Sequence, residues 1–387
     1  DLARLARCAA RAGEGGLATG FRITDALSGK AVDDRFFAGF RDTLHRLMAA
    51  LPARLSPTDR HALGLLQLTR ILFLYFIEAK GWLDGRPGFL REEVDGCLAR
   101  GRSLHRDLLQ PLFFGTLNRP AADRSALARR FGKIPFLNGG LFEPHPLERQ
   151  GRVTLPTPVL IDAFDRLFDR FHFTLVPGGE HAVAPDMLGR VFEGVMEPGE
   201  RHSTGSYYTP APLVEALLAD GIATWLAGRL GIGWPEARRR LDDPDRTTRR
   251  VLRRAKVLDP AVGSGAFLLG ALRLLAGSTA RPNSAHAARL RRVLATQLFG
   301  VDRNAAAVRL AELRLWLEVV GSDPTETPGA IAPLPNLDAL IRQGDSLSDP
   351  VAGLPLPPPG PADAAQLTAL RQTVIGATGA LKRSAVA

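Results

Sequence analysis

Residues 256–275 read KVLDPAVGSGAFLLGALRLL, which is a short apolar strand, a glycine turn and an amphipathic helix. Val257 and Leu258 end the strand, and Asp259 sits at the mouth of the loop. Gly263 and Gly265 make the turn, and the helix starts at Ala266. A Cβ at the glycines would keep a ligand from the backbone and the helix N-terminus. Outward from this loop, LFGVD ends a second strand at Asp302, and IRQGDSL (341–347) supplies a third that ends at Asp345. Strand and helix alternate, which predicts a parallel α/β sheet. Three acids at three successive strand ends then face the carboxyl edge, where open α/β sheets bind ligands.

The loop chemistry narrows the ligand. No Gly-Lys-Ser/Thr follows the glycines, so a phosphate P-loop is excluded. A dinucleotide fingerprint wants Gly or Ala where Leu268 stands, and an acid about 20 residues on. The next strand-end acid, Asp302, lies much further along. Asp259 would repel a pyrophosphate but suits an ammonium group, which S-adenosylmethionine carries together with a sulfonium. Asp302 can accept both ribose hydroxyls, and Asp345 the adenine amino group. Each acid alone would read as a turn or helix-cap carboxylate. Their order around the glycine loop raises them above that. A nicotinamide dehydrogenase is the weaker reading of the loop.

Upstream, the first ~200 residues read as mostly helix. Phe36, Phe37, Phe40, Leu44, Leu47, Met48 and Leu51 form one apolar stripe. Thr58 to Trp82 reads as a central helix, and Val94 to Leu117 and Pro158 to Phe171 as two more. IPFLNGGLFEPH (134–145) reads as a turn between short extended pieces. MEPGERHSTGSYYTPAP is polar and glycine-rich, as a linker or binding loop would be. Leu213 to Leu230 is a helix. PEARRRLDDPDRTTRR reads as a solvated helix and turn, with a DNA contact as the alternative. No internal repeat is present. The boundaries expected are a helical region over 1–196, an α/β core over 197–348, and the incomplete start of a Pro-rich and helical insertion over 349–387.

Composition excludes whole classes. The chain has 387 residues, 45% hydrophobic and 23% charged, so it is neither disordered nor a disulfide-rich mini-protein. Its net charge is +10, with 50 basic residues against 40 acidic ones, and nearly all of the positive charge is Arg. Such a surface attracts nucleic acid, and GC-rich codon usage accounts for it equally well. The longest apolar run, Ile71 to Ile77, is too short to span a bilayer. Cys8 and Cys97 have no metal-ligand spacing, the eight histidines show no HxH or HExxH, and nothing resembles a signal peptide. A cytoplasmic protein without a metal is the expectation. Glu78-Ala79-Lys80 matches the ExK pair of a nuclease, but it lies in an expected helix and no Pro-Asp precedes it at a suitable distance.

Four strings in order, TGSYYTP, LDPAVGSGAF, FGVDRNAAAVRLAELRLWL and NLDALIRQGDSL, resemble the γ-class N6-adenine DNA methyltransferases. The strings look like those of the large enzymes of type IIG restriction–modification and BREX phage-exclusion systems. LFLYFIEAKGWLDG, IPFLNGGLFEPH and LGRVFEGVMEPGERHSTGSYYTP resemble the helical region ahead of the core there, so the resemblance spans about residues 30 to 348. It implies a partial class I, Rossmann-like methyltransferase domain that uses S-adenosylmethionine and acts on double-stranded DNA. By that resemblance Tyr208, Thr209 and Pro210 close over the methionine end of the cofactor. Asp259, Ala261, Gly263 and Gly265 form its loop motif, and Asp302 and Asp345 the next two motifs. The target adenine is flipped out of the duplex in such enzymes.

One motif departs from the pattern. The base-holding Asn/Asp-Pro-Pro-Tyr/Phe of the resembled family does not occur in this chain. The expectation is a cofactor half-site without catalytic residues, inactive by itself, with nuclease or recognition domains lying outside it. The first strand should then form an exposed, aggregation-prone sheet edge. A non-catalytic DNA-binding or scaffold remnant is the rival reading.

Overall fold

The computed structural model describes residues 16–137, 140–149, 153–175, 182–189, 209, 211–277, 282–347 and 360–376. Helix α1 (Gly16–Ala50) buries the expected stripe, with Phe36, Phe40, Leu44, Leu47 and Leu51 all within the core. Helix α2 (Pro57–Ala79) starts where the Ser56 hydroxyl accepts the Asp59 N–H at 3.0 Å and Pro57 fixes the first turn. From Leu68 to Ile77 every residue of α2 is buried, which makes it the central helix that its sequence predicts.

The single helix expected over Val94 to Leu117 is instead three pieces. Helix α3 (Phe89–Ala99) stops, Gly101 turns the chain with φ +62°, and two wide helical turns follow at Leu104–Leu109 and Pro111–Leu117. Gly101 adopts a left-handed conformation that a helix cannot continue through. Helix α4 (Thr157–Arg166) also ends early, and Phe171 is already extended. There the chain enters β1 (His172–Phe173), which pairs in parallel with β2 (Ala182–Val183). Runs of two residues give no periodicity, so sequence reading missed this pair.

Helix α5 (Ala211–Leu230) precedes α6 (Trp234–Asp242) and α7 (Arg246–Leu252), the helix and turn expected of the arginine-rich run. The α/β part then follows as β3 (Val257–Asp259), α8 (Ala266–Ala276), α9 (Ser284–Thr296), β4 (Leu298–Asp302), α10 (Ala305–Ser322) and β5 (Ile341–Gln343). Helix α11 (Pro361–Gly376) comes last, and Asn336 Nδ2 donates to its Val374 carbonyl at 3.0 Å. The three strands are parallel in the order β3–β4–β5, with Leu258 beside Phe299 and Gly300 beside Ile341. Among the described residues β3 is therefore an edge, and Leu258 there is 63% exposed.

The helical region and the sheet share one apolar core that runs from Phe36 through α2 to Leu268, Trp316 and Ile341. Helix α2 packs on α10, Lys80 Nζ donates to the Gly321 carbonyl at 3.2 Å, and Trp82 Nε1 donates to that of Thr325 at 2.8 Å. The Leu334 N–H donates to the Leu137 carbonyl at 2.8 Å, which ties residues 134–137 to the segment between α10 and β5. By length and composition alone α2 and α5 could cross a membrane, which the short run Ile71–Ile77 did not indicate. In the fold α2 is a core helix, and α5 packs Val214, Ile222, Ala223 and Leu226 inward.

Candidate functional site

The site grows from the end of β3. The Ala261 N–H donates back to Asp259 Oδ1 at 3.2 Å, and the Val262 N–H reaches the Val301 carbonyl on β4 at 2.9 Å. Gly263 has φ +50° and donates its N–H to Asp302 Oδ2 at 2.8 Å. Gly265 has φ +81°, and a Cβ on it would lie 2.9 Å from that of Ala311 on α10. Gly265 is thus required by backbone conformation and by helix packing. The ligand access argued from sequence applies at Gly263, where a Cβ would meet nothing within 4 Å.

Leu268, which set this loop apart from the dinucleotide fingerprint, is fully buried over β4. A Cβ on Gly300 would come within 3.0 Å of its Cδ1. The small residue that lets helix and strand approach closely has moved from the helix to the strand.

Asp302 is held on both oxygens. Oδ2 takes the Gly263 N–H, and Oδ1 takes the Asn304 N–H at 2.8 Å. Each oxygen keeps a further acceptor position, so a hydroxyl pair can still dock there. Burial, with a smaller contribution from the Asp302 charge, pushes the Asp259 carboxyl above its usual range. Two carboxylates so placed favour a cation between them.

Asp345 joins the group through its loop. Oδ1 accepts the Leu347 N–H at 3.0 Å, and Arg303 Nε lies 3.7 Å from Oδ2. Ser346 Oγ donates to the Pro260 carbonyl at 2.5 Å, and the Gly344 N–H to that of Asp302 at 2.9 Å. Asp259, Ala261, Gly263, Gly265, Asp302 and Asp345 therefore share the carboxyl edge. Thr209 is half-buried, while Tyr208 and Pro210 lie outside the described residues.

Sequence reasoning missed Arg314. It is buried on α10 and its Nη1 donates to the Ser264 carbonyl at 2.7 Å and to Ser264 Oγ at 3.1 Å. LAELRLWLEVV places Arg314 in an apolar stretch, but the string alone does not say which loop it reaches. Arg273 on α8 similarly ties Asp186 (3.1 Å) to Glu318 on α10 (2.7 Å).

The other candidates have structural partners. Glu78 accepts the Gly88 and Leu90 N–H groups at the start of α3, and Lys80 points away to Gly321. No group of His, Cys, Asp and Glu fit for a metal occurs among the described residues. His105 is buried, and burial lowers its pKa to about 4.

Residues 183–330 match the family described as N-6 DNA Methylase, and residues 60–157 match a domain of unknown function, DUF7814. Among curated proteins, a putative type II restriction enzyme and methyltransferase, RM.MjaORFECS2P of Methanocaldococcus jannaschii, is 28% identical over 348 residues. That alignment covers 80% of this chain and 29% of the relative. The solved structure of the type IIL restriction–modification enzyme MmeI in complex with DNA superposes with a TM-score of 0.52 at 19% identity. It covers 82% of this chain and 40% of MmeI. The chain thus spans well under half the length of either, and the MmeI likeness carries the fold alone. What the comparisons and the fold share is an N-6 DNA methylase-like domain over residues 183–330, built against a helical region that bears the DUF7814 match.

Proposed function

We propose that this chain forms the cofactor half of an S-adenosylmethionine-dependent DNA methyltransferase that modifies adenine at N6 in a restriction–modification or phage-defence system. The observation that carries the reading is the acid pair at the glycine loop. Asp259 suits a cationic ligand end, and Asp302, fixed by two backbone N–H groups, keeps acceptor positions that suit a ribose. The match to the N-6 DNA Methylase family supports methyl transfer to DNA, and Asp345 offers an acceptor for the adenine amine. When bound, S-adenosylmethionine supplies the activated methyl group. The residues of this chain bind it and orient it, which is most of what an in-line displacement asks of a protein. The reading implies a cytoplasmic enzyme that acts on double-stranded DNA.

The test is titration calorimetry with S-adenosylmethionine. Asp302→Ala should weaken binding by about 1–3 kcal/mol, the loss of a charged hydrogen-bond partner. Unchanged affinity, or preference for NADH, would sink the reading. The absence of Asn/Asp-Pro-Pro-Tyr/Phe favours a second reading, a domain that binds without catalysis. Methyl transfer from labelled cofactor to duplex DNA separates the two. This stretch by itself should bind cofactor and transfer nothing.

A further inference from the structure

The arginine-rich run splits into two halves that behave differently. On α6 each arginine has an acid. Arg238 pairs with Asp242, Arg239 with Glu236 at 2.5 Å, and Arg240 with Glu236 at 2.8 Å and Asp245 at 3.5 Å. That half is the solvated, self-neutralised face that its sequence predicts. On α7 and the turn after it, Arg246, Arg249, Arg250, Arg253 and Arg254 are all exposed, and none has an acidic partner among the described residues. The inner stripe of this segment is Thr248, Leu252 and Ala255, so the arginines form its outer face. Arg246, Arg250 and Arg254 follow at four-residue steps of about 6 Å, as do Arg249 and Arg253.

A second element adds to this face. Gln297 at the end of α9 donates to the Leu252 and Ala255 carbonyls at 2.8 and 3.0 Å, which pins α9 beside α7. Arg292 of α9 then lies close to Arg253 and Arg289. Partial burial lowers its pKa, and those two like charges lower it further. Convergent cations without a counter-charge repel one another until an anion joins them.

We propose that the outer face of α7, with Arg289 and Arg292 of α9, is a docking surface for the phosphate backbone of duplex DNA. It lies at the amino edge of the sheet, whereas the acids sit at the carboxyl edge. The five residues of β4 put the two about 15 Å apart or more. An acidic protein would want an apolar centre to its interface. Helix α7 exposes no large apolar side chain, while a phosphate lattice needs only cations. This goes beyond the proposed function and shares with it only the DNA.

The experiment is fluorescence anisotropy with a duplex of guanine–cytosine pairs only, without cofactor, from about 50 to 200 mM salt. Such a duplex has no adenine, so a failure here leaves the methyl-transfer reading standing, and a failure of cofactor binding leaves this one standing. Arg249→Gln, Arg253→Gln and Arg292→Gln combined should lower the slope of log K against log salt by about 2–3 and the affinity on the order of tenfold. Arg238→Gln, Arg239→Gln and Arg240→Gln combined remove the same formal charge and should leave both unchanged. Equal losses from the two triples, or no loss from the first, overturn the proposal. Should the first triple lose its melting transition, Arg253→Gln alone decides, with an expected slope change of about 0.9.

Discussion

Asp259 and Asp302 differ in how they are held, and that difference sets how binding responds to pH. Asp302 is fixed on both oxygens by backbone N–H groups. Asp259 has one such bond and a carboxyl pushed upward by burial and by its neighbour. A cation needs Asp259 ionised. As pH falls through that raised pKa, the site loses a charge and S-adenosylmethionine affinity should drop, from a higher pH than an ordinary aspartate would give. Titrations from pH 7 downward check this, and Asp259→Asn should bind more weakly and with a flatter profile. A wild-type affinity constant to below pH 4 would remove Asp259 from the cation site. Asp259 and Asp302 were legible in the sequence because each ends a strand, and Asp345 because it follows one, although β5 stops at Gln343 rather than at Asp345 as expected. Arg314 was not, because its role depends on which loop α10 lies under, and no local pattern states that.

Among the elements, the close contact between α8 and α5 makes a sharper demand than either helix alone. A Cβ on Gly270 would lie 2.6 Å from Leu218 Cδ1 and 3.0 Å from Val214 Cγ1. The Leu218 methyl can swing aside for one carbon, and Ala is the better helix former. Gly270→Ala should therefore be near neutral. Gly270→Val adds branches that Val214 cannot clear, and should cost about 1–3 kcal/mol in denaturant unfolding. Equal stability of the two variants would show that α5 yields freely. The second half of α1 was readable from its apolar stripe, α2 and α5 from their apolar runs, and α10 from the alternation of strand and helix. The break at Gly101 and the two-residue strands were not, since both follow from tertiary contacts rather than repeat patterns.

For the molecule as a whole, the helical region and the sheet part act as one packed body, and part of their junction is polar. Arg70, fully buried on α2, pairs with Glu148 at 2.8 Å and donates to the Leu141 and Glu143 carbonyls at 2.7 and 2.6 Å. Across from it Glu312 on α10 is buried beside Arg309 at 3.0 Å and near Asp338, and burial pushes its carboxyl up to about 8. Between the ordinary glutamate range and that value, the folded chain holds a proton that the unfolded chain has released. Stability should therefore fall as pH rises through the window, by at most about 1.4 kcal/mol per unit for one proton. Thermal melts from pH 5 to 9 check this, and Glu312→Gln should flatten the curve. A flat wild-type curve would mean that the Arg309 charge outweighs burial. Two regions were legible in the sequence. Their common core was not, because the residues that close it are far apart along the chain.

The Lys80 to Gly321 contact spans 241 positions. At roughly 5–20 residues per second of synthesis, Gly321 is added roughly 12–48 s after Lys80. For that time α2, the most apolar helix of the first half, has left the ribosome before the helix that covers it exists. In that interval the apolar face of α2 is a surface for chaperones to hold.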